Sequence, residues 1–533
     1  MTQGTEAQSA DRTRYELAEL VETARALASE RDIKKLLSVI LQKCRQVTGA
    51  DAGSVYVVEE EGGSQAEYKP TPKKFLHFML SQNDSVKVDF KEFVLDIDDK
   101  SIVGQAVLSK HPINIADLTK LQSTPKTKTL RHNRSFDEKT GYRARSMLTV
   151  PMLSTDREVI GVVQLINKRR EPGRPLADDD DVEAFDQRSE ELALAWVAMA
   201  GLALENALLY DEIRLMFEGF VEASVTAIES RDPTTSGHSR RVATMSVDLA
   251  KKVDAVSDGP LAAVHFTPIA LQQLEYAGVL HDFGKVGVRE RVLVKAKKLY
   301  EEDLRNITLR FAYIKKGLEA EHAERKLRVA MELGKSDLAA RLATIDADLG
   351  RRMDDVDEAL AFVARVNEPT VLDQGGFERL VEIARLIYMA PGGELRPYLE
   401  PEEVAALQVR RGSLTEVERV EIERHVVHTT TFLQEIPWGR RYADVPRIAA
   451  AHHEYLNGTG YPKRMPGKDI PVESRIMTIA DIFDALTASD RPYKKAVPID
   501  RALSIIESEV TAGKCDADLF RVFVGGEVYK RVI

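Results

Sequence analysis

The chain has 533 residues, 44% of them hydrophobic and 30% charged, which is enough for about three or four folding units and excludes one small domain or a fibrous repeat. Its net charge of −10 argues against a protein that coats nucleic acid. The two cysteines, Cys44 and Cys515, are too few for a disulfide-rich secreted scaffold or a cysteine-ligated zinc site.

The N-terminal segment is polar and lacks the basic and then apolar order of a secretory signal. No uninterrupted apolar run reaches the roughly 18 residues that a membrane-spanning helix needs. We therefore expect a cytoplasmic protein with no nucleic-acid partner and no membrane insertion. Residues 1–13 are predicted to form a disordered tail.

The first third of the chain has the pattern of a mixed α/β domain. Helical stretches are predicted at about 14–29 and 31–48, and five β-branched segments then alternate like strands: AGSVYVV, KFLHFML, FVLDID, MLTVPML and VIGVVQLIN. The segments TGYRARSMLTVPM and VIGVVQLINKR, followed by a long helix, resemble a GAF domain, a family of small-molecule-binding sensor domains. The GAF domain is predicted over residues 14–190.

Part of this region is similar to GAF domains that bind cyclic nucleotides. Asn167 and Lys168, with Phe185 and Glu190 downstream, resemble a partial copy of their sequence pattern, although Ser189 stands where that pattern has Asp. The resemblance implies a cyclic nucleotide held at Asn167 and Lys168. Alternatively, Lys168 lies on the surface at a strand end and Phe185 belongs to the core.

A long helix is predicted to follow the GAF domain. Ten apolar residues and one polar residue, Asn206, recur at intervals of three and four over five heptads without proline: Leu192, Ala195, Met199, Leu202, Asn206, Leu209, Ile213, Met216, Phe220, Ala223 and Ala227. This spacing predicts a coiled-coil connector over residues 191–228 that forms a homodimer, with Asn206 fixing the register. A single amphipathic helix packed on its own chain would give the same pattern.

The remainder of the chain contains a series of residues suited to metal binding. Five of the 11 histidines belong to it, together with two aspartates: His238, His281, Asp282, His425, His452, His453 and Asp481. Neutral imidazoles and carboxylates bind first-row transition metals, and a shared carboxylate can hold two of them a few ångströms apart. The set suits two metals with water between them.

The neighbouring sequence places these residues at helix ends and faces. Thr267 and Pro268 read as the N-cap and first position of a helix that ends at His281 and Asp282. Gly284 would let the chain turn so that Lys285 points into the same cleft. Ser413 to Glu416 resembles a capping box that begins the helix carrying His425.

The order His, His-Asp, Lys, His, His-His, Gly-Tyr-Pro, Asp resembles the HD-GYP family of HD-domain phosphodiesterases, over about 220–297 and 413–533. This resemblance implies that the seven residues ligate two metals, iron or manganese, and that Asp282 bridges them. Thr234 occupies the position at which members with three metals have Glu, which favours two. His428 shares a helix face with His425 but is outside the ligand set implied by the resemblance, so packing or support of the ligands is expected of it.

The family resemblance also implies a substrate and an activity. Arg491 and Lys494 would grip the phosphates and guanine of cyclic di-GMP, and Tyr461 in the loop Asn457–Pro462 would line the pocket. Asp282 and Lys285 would serve catalysis, with Lys285 or a metal-bound water protonating the leaving 3′-oxygen. The expected reaction is hydrolysis to pGpG, which many members of the family cleave further to GMP, and the GAF domain would regulate it. Asn457 replaces the more frequent Asp, which bears on contacts with a GGDEF-domain protein, an implied partner.

Two alternatives remain open at this point. The chain could be a receptor for cyclic di-GMP, or a module that binds a diguanylate cyclase, without catalysis. It could also be a phosphodiesterase for another cyclic dinucleotide or a phosphorylated guanosine alarmone. The intact ligand series favours an enzyme, because binding alone does not require all seven residues.

An insertion separates the two parts of the predicted HD-GYP domain. His281 and His425 are 144 residues apart, so about 115 residues are additional, and apolar spacing predicts a helical hairpin or coiled coil over 300–366. The predicted division is 229–297 and 413–533 for the HD-GYP domain and 298–412 for the insertion. The predicted fold class is an α/β GAF sensor domain plus an all-α HD-type domain, joined by a long helix and carrying a helical insertion.

Overall fold

A computed structural model gives the fold of the chain in two compact units that meet after Phe217. The predicted tail at 1–13 and helix at 14–29 lie outside the residues that the structure describes. The described residues are 30, 32–60, 73–86, 91–123, 128–132, 141–171, 174, 176, 178–231, 237–332, 335–369, 374–488 and 496–532.

The first unit is built on a sheet, as the sequence predicts, and its strands pair antiparallel. All five predicted strands form, and two very short strands, β4 and β7, were missed because two or three residues are too few to show alternation. The elements of the first unit are α1 (Ile33–Thr48), β1 (Ala50–Glu60), β2 (Lys74–Asn83), β3 (Phe93–Asp96), α2 (Ile102–Ser109), β4 (Ile113–Ile115), β5 (Met147–Leu153), β6 (Val159–Arg169) and β7 (Val182–Glu183). The strands are ordered β3-β2-β1-β6-β5-β4 in the sheet, with β7 paired to β6.

Two helices cover one face of this sheet. The side chain of Asp32 caps α1 by accepting from the amide of Lys35, and Gly49 ends it with a φ of 75°. The long helix α3 (Gln187–Arg231) packs beside α1 through its first turns. Their shared core contains Leu36, Leu37, Ile40, Leu41, Cys44, Ala193, Trp196, Val197, Ala200 and Leu204.

The same helix α3 has a membrane-like composition. Among the described residues it is the one helix long and apolar enough, by those two criteria, to cross a membrane. A core helix of a soluble protein passes the same test, and Trp196 and Leu204 are buried in the GAF core. Glu205 and Asn206 interrupt its apolar run. Part of its apolar surface is therefore accounted for by the packing of the first unit.

The second unit is mainly helical and carries the predicted metal ligands. Close packing of its first two helices depends on Gly278, where a Cβ would lie 2.8 Å from the Cα of Ala243. Val221, Val225 and Ile228, near the end of α3, are buried in this unit. Its helices outside the insertion are α4 (His238–Asp254), α5 (Pro268–Leu280), α6 (Glu290–Leu293), α11 (Glu416–Glu435), α12 (Val445–Ala449), α13 (Val472–Thr487), α14 (Ile499–Thr511) and α15 (Ala517–Gly525).

One of the two predicted helix caps is confirmed, and the other lies two residues further along the chain. Thr267 caps α5 by accepting from the amide of Ala270, with Pro268 in the first turn. The capping box of α11, however, is formed by Thr415 and Glu418. The sequence contains two overlapping matches to the same four-residue pattern, and Ser413 is engaged elsewhere, since its Oγ donates to the carbonyl of Lys295 at 2.8 Å.

The segment between the two parts of this unit has its own core. Helices α7 (Glu301–Glu332) and α8 (Lys335–Val366) agree with the predicted hairpin, and α9 (Gln374–Arg385) and α10 (Pro401–Leu407) follow. Between α9 and α10 the strands β8 (Ile387–Met389) and β9 (Leu395–Pro397) pair antiparallel, which corrects the prediction of a wholly helical insertion. Lys315 and Asp357 pair across the hairpin at 2.6 Å. The core contains Ile307, Phe311, Ile314, Leu318, Val356, Ala359, Val363, Val366, Leu380, Ile383, Leu399 and Leu407.

Replacing Phe311 by Ala should destabilise the insertion. The ring is fully buried, and removal of a buried Phe costs about 3–5 kcal/mol through lost burial and the cavity left behind. Hydrogen exchange measured on peptides from α7 and α8 should show faster exchange. Leu309→Ala on the same helix is the matched control, because Leu309 is 62% exposed and its loss should change stability by no more than about 0.5 kcal/mol. Equal exchange in the two variants would contradict this account of the core.

Candidate metal centre

The second unit brings all seven predicted ligand residues together. His238 begins α4, and His281 ends α5 with Asp282 directly after it. The others lie on α11, in the turn after α12 and on α13: His425, His452, His453 and Asp481. His238, His281, Asp282, His425 and His452 are buried.

The seven residues form two groups with carboxylates between them. His238, His281 and Asp282 have ligand atoms within 4.8 Å of one another, and so do His425, His452 and His453. The Oδ1 of Asp282 lies 3.3 Å from the Nε2 of His425, while its Oδ2 lies 3.5 Å from the Nε2 of both His238 and His281. Asp282 therefore presents one oxygen to each group.

Asp481, like Asp282, lies between the two groups and presents one oxygen to each. Its Oδ1 lies 3.3 Å from the Nε2 of His238, and its Oδ2 lies 3.9 Å from the Nδ1 of His453. A carboxylate can use its two oxygens for two neighbouring cations. The arrangement thus offers two adjacent metal positions that share carboxylates.

Three of the histidines have a buried ring nitrogen that makes no hydrogen bond to another described residue. The Nδ1 atoms of His281, His425 and His452 donate to the carbonyls of Gly278, Ile422 and Ala449 at 2.6–2.7 Å. These hydrogen bonds assign the tautomer that leaves a lone pair on Nε2. Each of these Nε2 atoms is buried and has no hydrogen-bond partner within the described residues. Buried polar atoms are rarely left unpaired, so the arrangement fits a bound metal.

The protonation states also suit a metal site. Burial lowers the pKa of His425 and His452, and it lowers the pKa of His453 to about 3, so these imidazoles are neutral. Burial acts to raise the pKa of Asp282, but Lys285 and His281 outweigh it and hold that pKa well below the usual range. Neutral imidazoles and ionised carboxylates are the forms that bind transition metals.

His238 has a different environment, and it reveals a residue that the sequence reasoning missed. Its Nδ1 lies 2.7 Å from the Oδ2 of Asp484, which Arg241 also contacts. Burial acts to lower the pKa of His238, but hydrogen bonds to Asp282, Asp481 and Asp484 raise it well above the usual value in the protein without metal. The available signal was the position of Asp484, one helical turn after Asp481.

Close backbone packing holds the ligand segments in place. Thr429 Oγ1 accepts from the amide of Gly284 at 2.8 Å and donates to the carbonyl of His281 at 2.9 Å. A Cβ on Gly284 would collide with the carbonyl oxygen of His425. Gly284 is therefore required for close approach, and not for the unusual backbone angle that the sequence suggested. Lys285 does point into the cleft, with its Nζ 2.8 Å from the Oδ2 of Asp282.

The Gly-Tyr-Pro loop borders the second group. A Cβ on Gly460 would lie 2.5 Å from the carbonyl oxygen of His453, so the loop packs directly on that backbone. The ring centroids of Tyr461 and His453 are 4.7 Å apart. The buried carboxylate of Glu454 accepts from the amides of Lys463 and Met465 at 2.6 and 2.9 Å and holds the loop's exit. Tyr461 thus lies at the edge of the candidate site, as predicted.

The remaining residues singled out in the sequence of the second unit do not take part in the two histidine groups that the structure describes. Arg491, Lys494 and Thr234 lie outside the described residues. His428 is exposed and packs beside Gly287, where its ring is 2.9 Å from the position of an added Cβ. It belongs to neither histidine group.

In the GAF domain, Asn167 and Lys168 bind groups of their own chain. Asn167 is buried, accepts from the amide of Arg145 at 2.7 Å and donates to the carbonyl of Arg143 at 2.8 Å. Lys168 pairs with Asp186 at 2.9 Å and Glu183 at 3.1 Å. Asp186, three residues before Ser189, therefore supplies a carboxylate partner for Lys168. A ligand at Asn167 and Lys168 stays a prediction.

Comparison with known protein families identifies two domains in the chain. A GAF-domain family model matches residues 32–196, and an HD-domain family model matches residues 398–519. The chain contains a GAF domain and an HD domain. The GAF–HD protein thus has the predicted fold class, an α/β domain followed by a helical HD-type domain. His238, His281 and Asp282 precede the segment matched by the HD model but lie in the same compact unit.

Several curated proteins are similar to parts of the GAF–HD protein. The 3′3′-cGAMP-specific phosphodiesterase 3 of Vibrio cholerae is 42% identical over 105 residues, which are 20% of this chain and 22% of that protein. The 3′3′-cGAMP-specific phosphodiesterase 1 of the same organism is 37% identical over 124 residues, which are 23% of this chain and 27% of that protein. The cyclic di-GMP phosphodiesterase response regulator RpfG of Xanthomonas campestris is 35% identical over 153 residues, 28% of this chain and 38% of its own. The matches therefore span about a fifth to two fifths of these relatives.

Replacing Gly284 by Ala should impair metal binding. The added methyl group would collide with the backbone of His425, so the turn carrying Asp282 and Lys285 must move away from α11. We expect less metal retained per chain after dialysis, measured by elemental analysis. Gly317→Ala is the control, because a Cβ there meets nothing within 4 Å and Ala favours the helix. Normal metal content in the Gly284 variant would show that this contact does not constrain the centre.

Proposed function

We propose that the GAF–HD protein is an HD-GYP-type phosphodiesterase that hydrolyses cyclic di-GMP to pGpG and then to GMP. The observation that carries the proposal is the pair of histidine groups that share Asp282. The names of the relatives, all cyclic-dinucleotide phosphodiesterases in the cases above, support the substrate class.

The metal content proposed is two divalent transition metals, with iron or manganese as the best candidates. The ligands would be His238, His281, Asp282, His425, His452, His453 and Asp481, with Asp282 bridging. Nitrogen and oxygen ligands without thiolate suit these metals. Two metals, when bound, supply an activated water and neutralise charge on a phosphate.

The chain's own residues would bind the substrate and move a proton. During hydrolysis the bond between phosphorus and the 3′-oxygen breaks as a bond to the water oxygen forms, so the 3′-oxygen must gain a proton. Lys285 is proposed to donate it, because its ammonium group already lies in the cleft beside Asp282. Arg491 and Lys494 would hold the phosphates, since Arg can bind phosphate through two parallel hydrogen bonds. Tyr461 would line the pocket next to His453.

A second candidate substrate is 3′3′-cGAMP. Two of the similar proteins from Vibrio cholerae are named as specific for it. The two cyclic dinucleotides differ in one base, and phosphate-binding residues do not distinguish bases. A receptor or cyclase-binding module without catalysis is the other alternative, and it explains the complete ligand set less well.

We further propose a cytoplasmic homodimer whose activity the GAF domain regulates. On α3, Leu202, Leu209, Ile213, Met216 and Phe220 are 46–70% exposed, and they belong to the stripe predicted to pair two chains. Most of this stripe lies on a face other than the one that packs in the core of the first unit, but Met199 contacts that core and Phe220 stacks on Phe432 of α11. A GAF ligand, for example a cyclic nucleotide, would then shift the populations of the dimer. A GGDEF-domain partner at the Gly-Tyr-Pro loop belongs to the same proposal.

The decisive experiment measures turnover of cyclic di-GMP and 3′3′-cGAMP by protein purified without air and loaded with iron or manganese. We expect pGpG and GMP from cyclic di-GMP, and no product from the His281→Ala/Asp282→Ala variant. Faster turnover of 3′3′-cGAMP would select the second candidate. A protein that holds two metals and cleaves neither compound, with or without GAF ligands, would contradict the enzyme proposal and favour a receptor.

Arg491→Ala should weaken substrate binding and leave the metals in place. Loss of charge-assisted hydrogen bonds to phosphate costs about 1.5–3 kcal/mol, which corresponds to a KM increase of roughly tenfold or more. Steady-state kinetics and elemental analysis on the same preparation check both parts. Arg521→Ala is the control, since this arginine pairs with Asp518 on the surface of α15. Loss of metal from the Arg491 variant would show that its role is misassigned.

A further inference from the structure

The four buried histidines of the candidate centre are oriented in two different ways. His281, His425 and His452 each donate from Nδ1 to a carbonyl three residues earlier in their own segment. His238 is the first residue of α4. Its Nδ1 contacts a side chain on another helix, the carboxylate of Asp484 on α13. The orientation of His238 therefore depends on tertiary packing.

Arg241 and Asp484 form a two-point contact that could fix this orientation. The Nε of Arg241 lies 2.6 Å from Asp484 Oδ1, and its Nη2 lies 3.0 Å from Oδ2. Asp484 is only 2% exposed, which makes its charge costly unless it is paired. Arg241 follows His238 by one helical turn on α4, as Asp484 follows Asp481 on α13. Two ligands and their two supporting residues thus lie on facing helices.

We propose that Asp484, held by Arg241, is a positioning residue that makes one of the two metal positions depend on the docking of α4 against α13. The position concerned is that of His238, His281 and Asp282. By accepting from Nδ1, Asp484 leaves the Nε2 of His238 as the metal-binding atom and fixes the ring plane. This inference rests on the two-metal site of the proposed function.

The second metal position should be independent of this pair. His425 and His452 are held by backbone carbonyls, and His453 lies beside Tyr461 in the adjoining loop. None of these contacts involves Asp484 or Arg241. A change at Asp484 should therefore affect the two positions unequally, whereas general damage to the fold would affect both.

The end of the connector helix α3 contacts the start of α4, so movement of α3 can act on the link between α4 and α13. The amide of Gly237, directly before His238, donates to the Oε1 of Glu229 on α3 at 2.8 Å. Arg240 pairs with Glu222, also on α3. A displacement of this part of α3 would pull on α4 at the residue whose ring orientation is set by Asp484.

The test is calorimetric titration of metal-free full-length protein with manganese. Elemental analysis of the titrated protein then gives the number of manganese ions bound per chain. We expect two manganese ions in the unaltered chain. In Asp484→Ala, one position should retain its affinity and the other should weaken roughly 10–100-fold. Asp484→Asn should weaken the same position less, because its amide oxygen can still accept from His238. Asp518→Asn, which removes a surface carboxylate from α15, should change neither position.

Three results separate success from failure. Unequal loss, with restoration toward normal in Asp484→Asn, supports the positioning role. Equal weakening of both positions, or no change in either, in chains with an unaltered helical spectrum would overturn it. Fewer than two manganese ions in the unaltered chain would instead contradict the two-metal site of the proposed function, and the inference would be overturned with it.

Discussion

The arrangement of the second unit depends on burying the carboxylate of Asp282. An isolated buried carboxylate is strongly unfavourable, so its surroundings must supply positive charge or hydrogen bonds. Lys285 lies 2.8 Å from one oxygen, and histidines from three different helices approach both oxygens. Bound metals would satisfy the same requirement more completely. The helices that carry the histidines must therefore converge on this one turn of chain.

Convergence of this kind leaves little freedom in the backbone around the centre. Gly284, Gly278 and Gly460 each occupy a place where a Cβ would meet another segment's main chain. Thr429 joins two ligand segments through one hydroxyl, and Thr478 does the same by donating to the carbonyl of His452 at 2.7 Å. Small residues and hydroxyls therefore bring the histidine segments close enough for their rings to share carboxylates.

Much of this organisation could be predicted from the sequence, because local signals agreed with one another. The Thr267 cap and the alternation of the strands can each be recognised within a few residues, and the histidines and aspartates lie in short recognisable motifs. The structure brings the seven ligand residues together. Asp484 was missed because it lies outside the series of ligand residues, although its place one turn after Asp481 puts it on the same face of α13. The start of α11 was misjudged because two overlapping four-residue patterns fit equally well. Asp186 was missed as the partner of Lys168, since that contact depends on where α3 begins.

The insertion illustrates how an addition can be accommodated beside a constrained centre. Its two flanks touch where Ser413 donates to the carbonyl of Lys295, and its apolar residues form a separate core. The two ends of the predicted insertion therefore lie at neighbouring points of the helical unit, a gap that a short peptide link would bridge. The segment between them is therefore stabilised by its own core, while the positions of both flanks are fixed by the contact between Ser413 and Lys295. The HD domain can in this way acquire a new surface without repositioning any of its buried histidines.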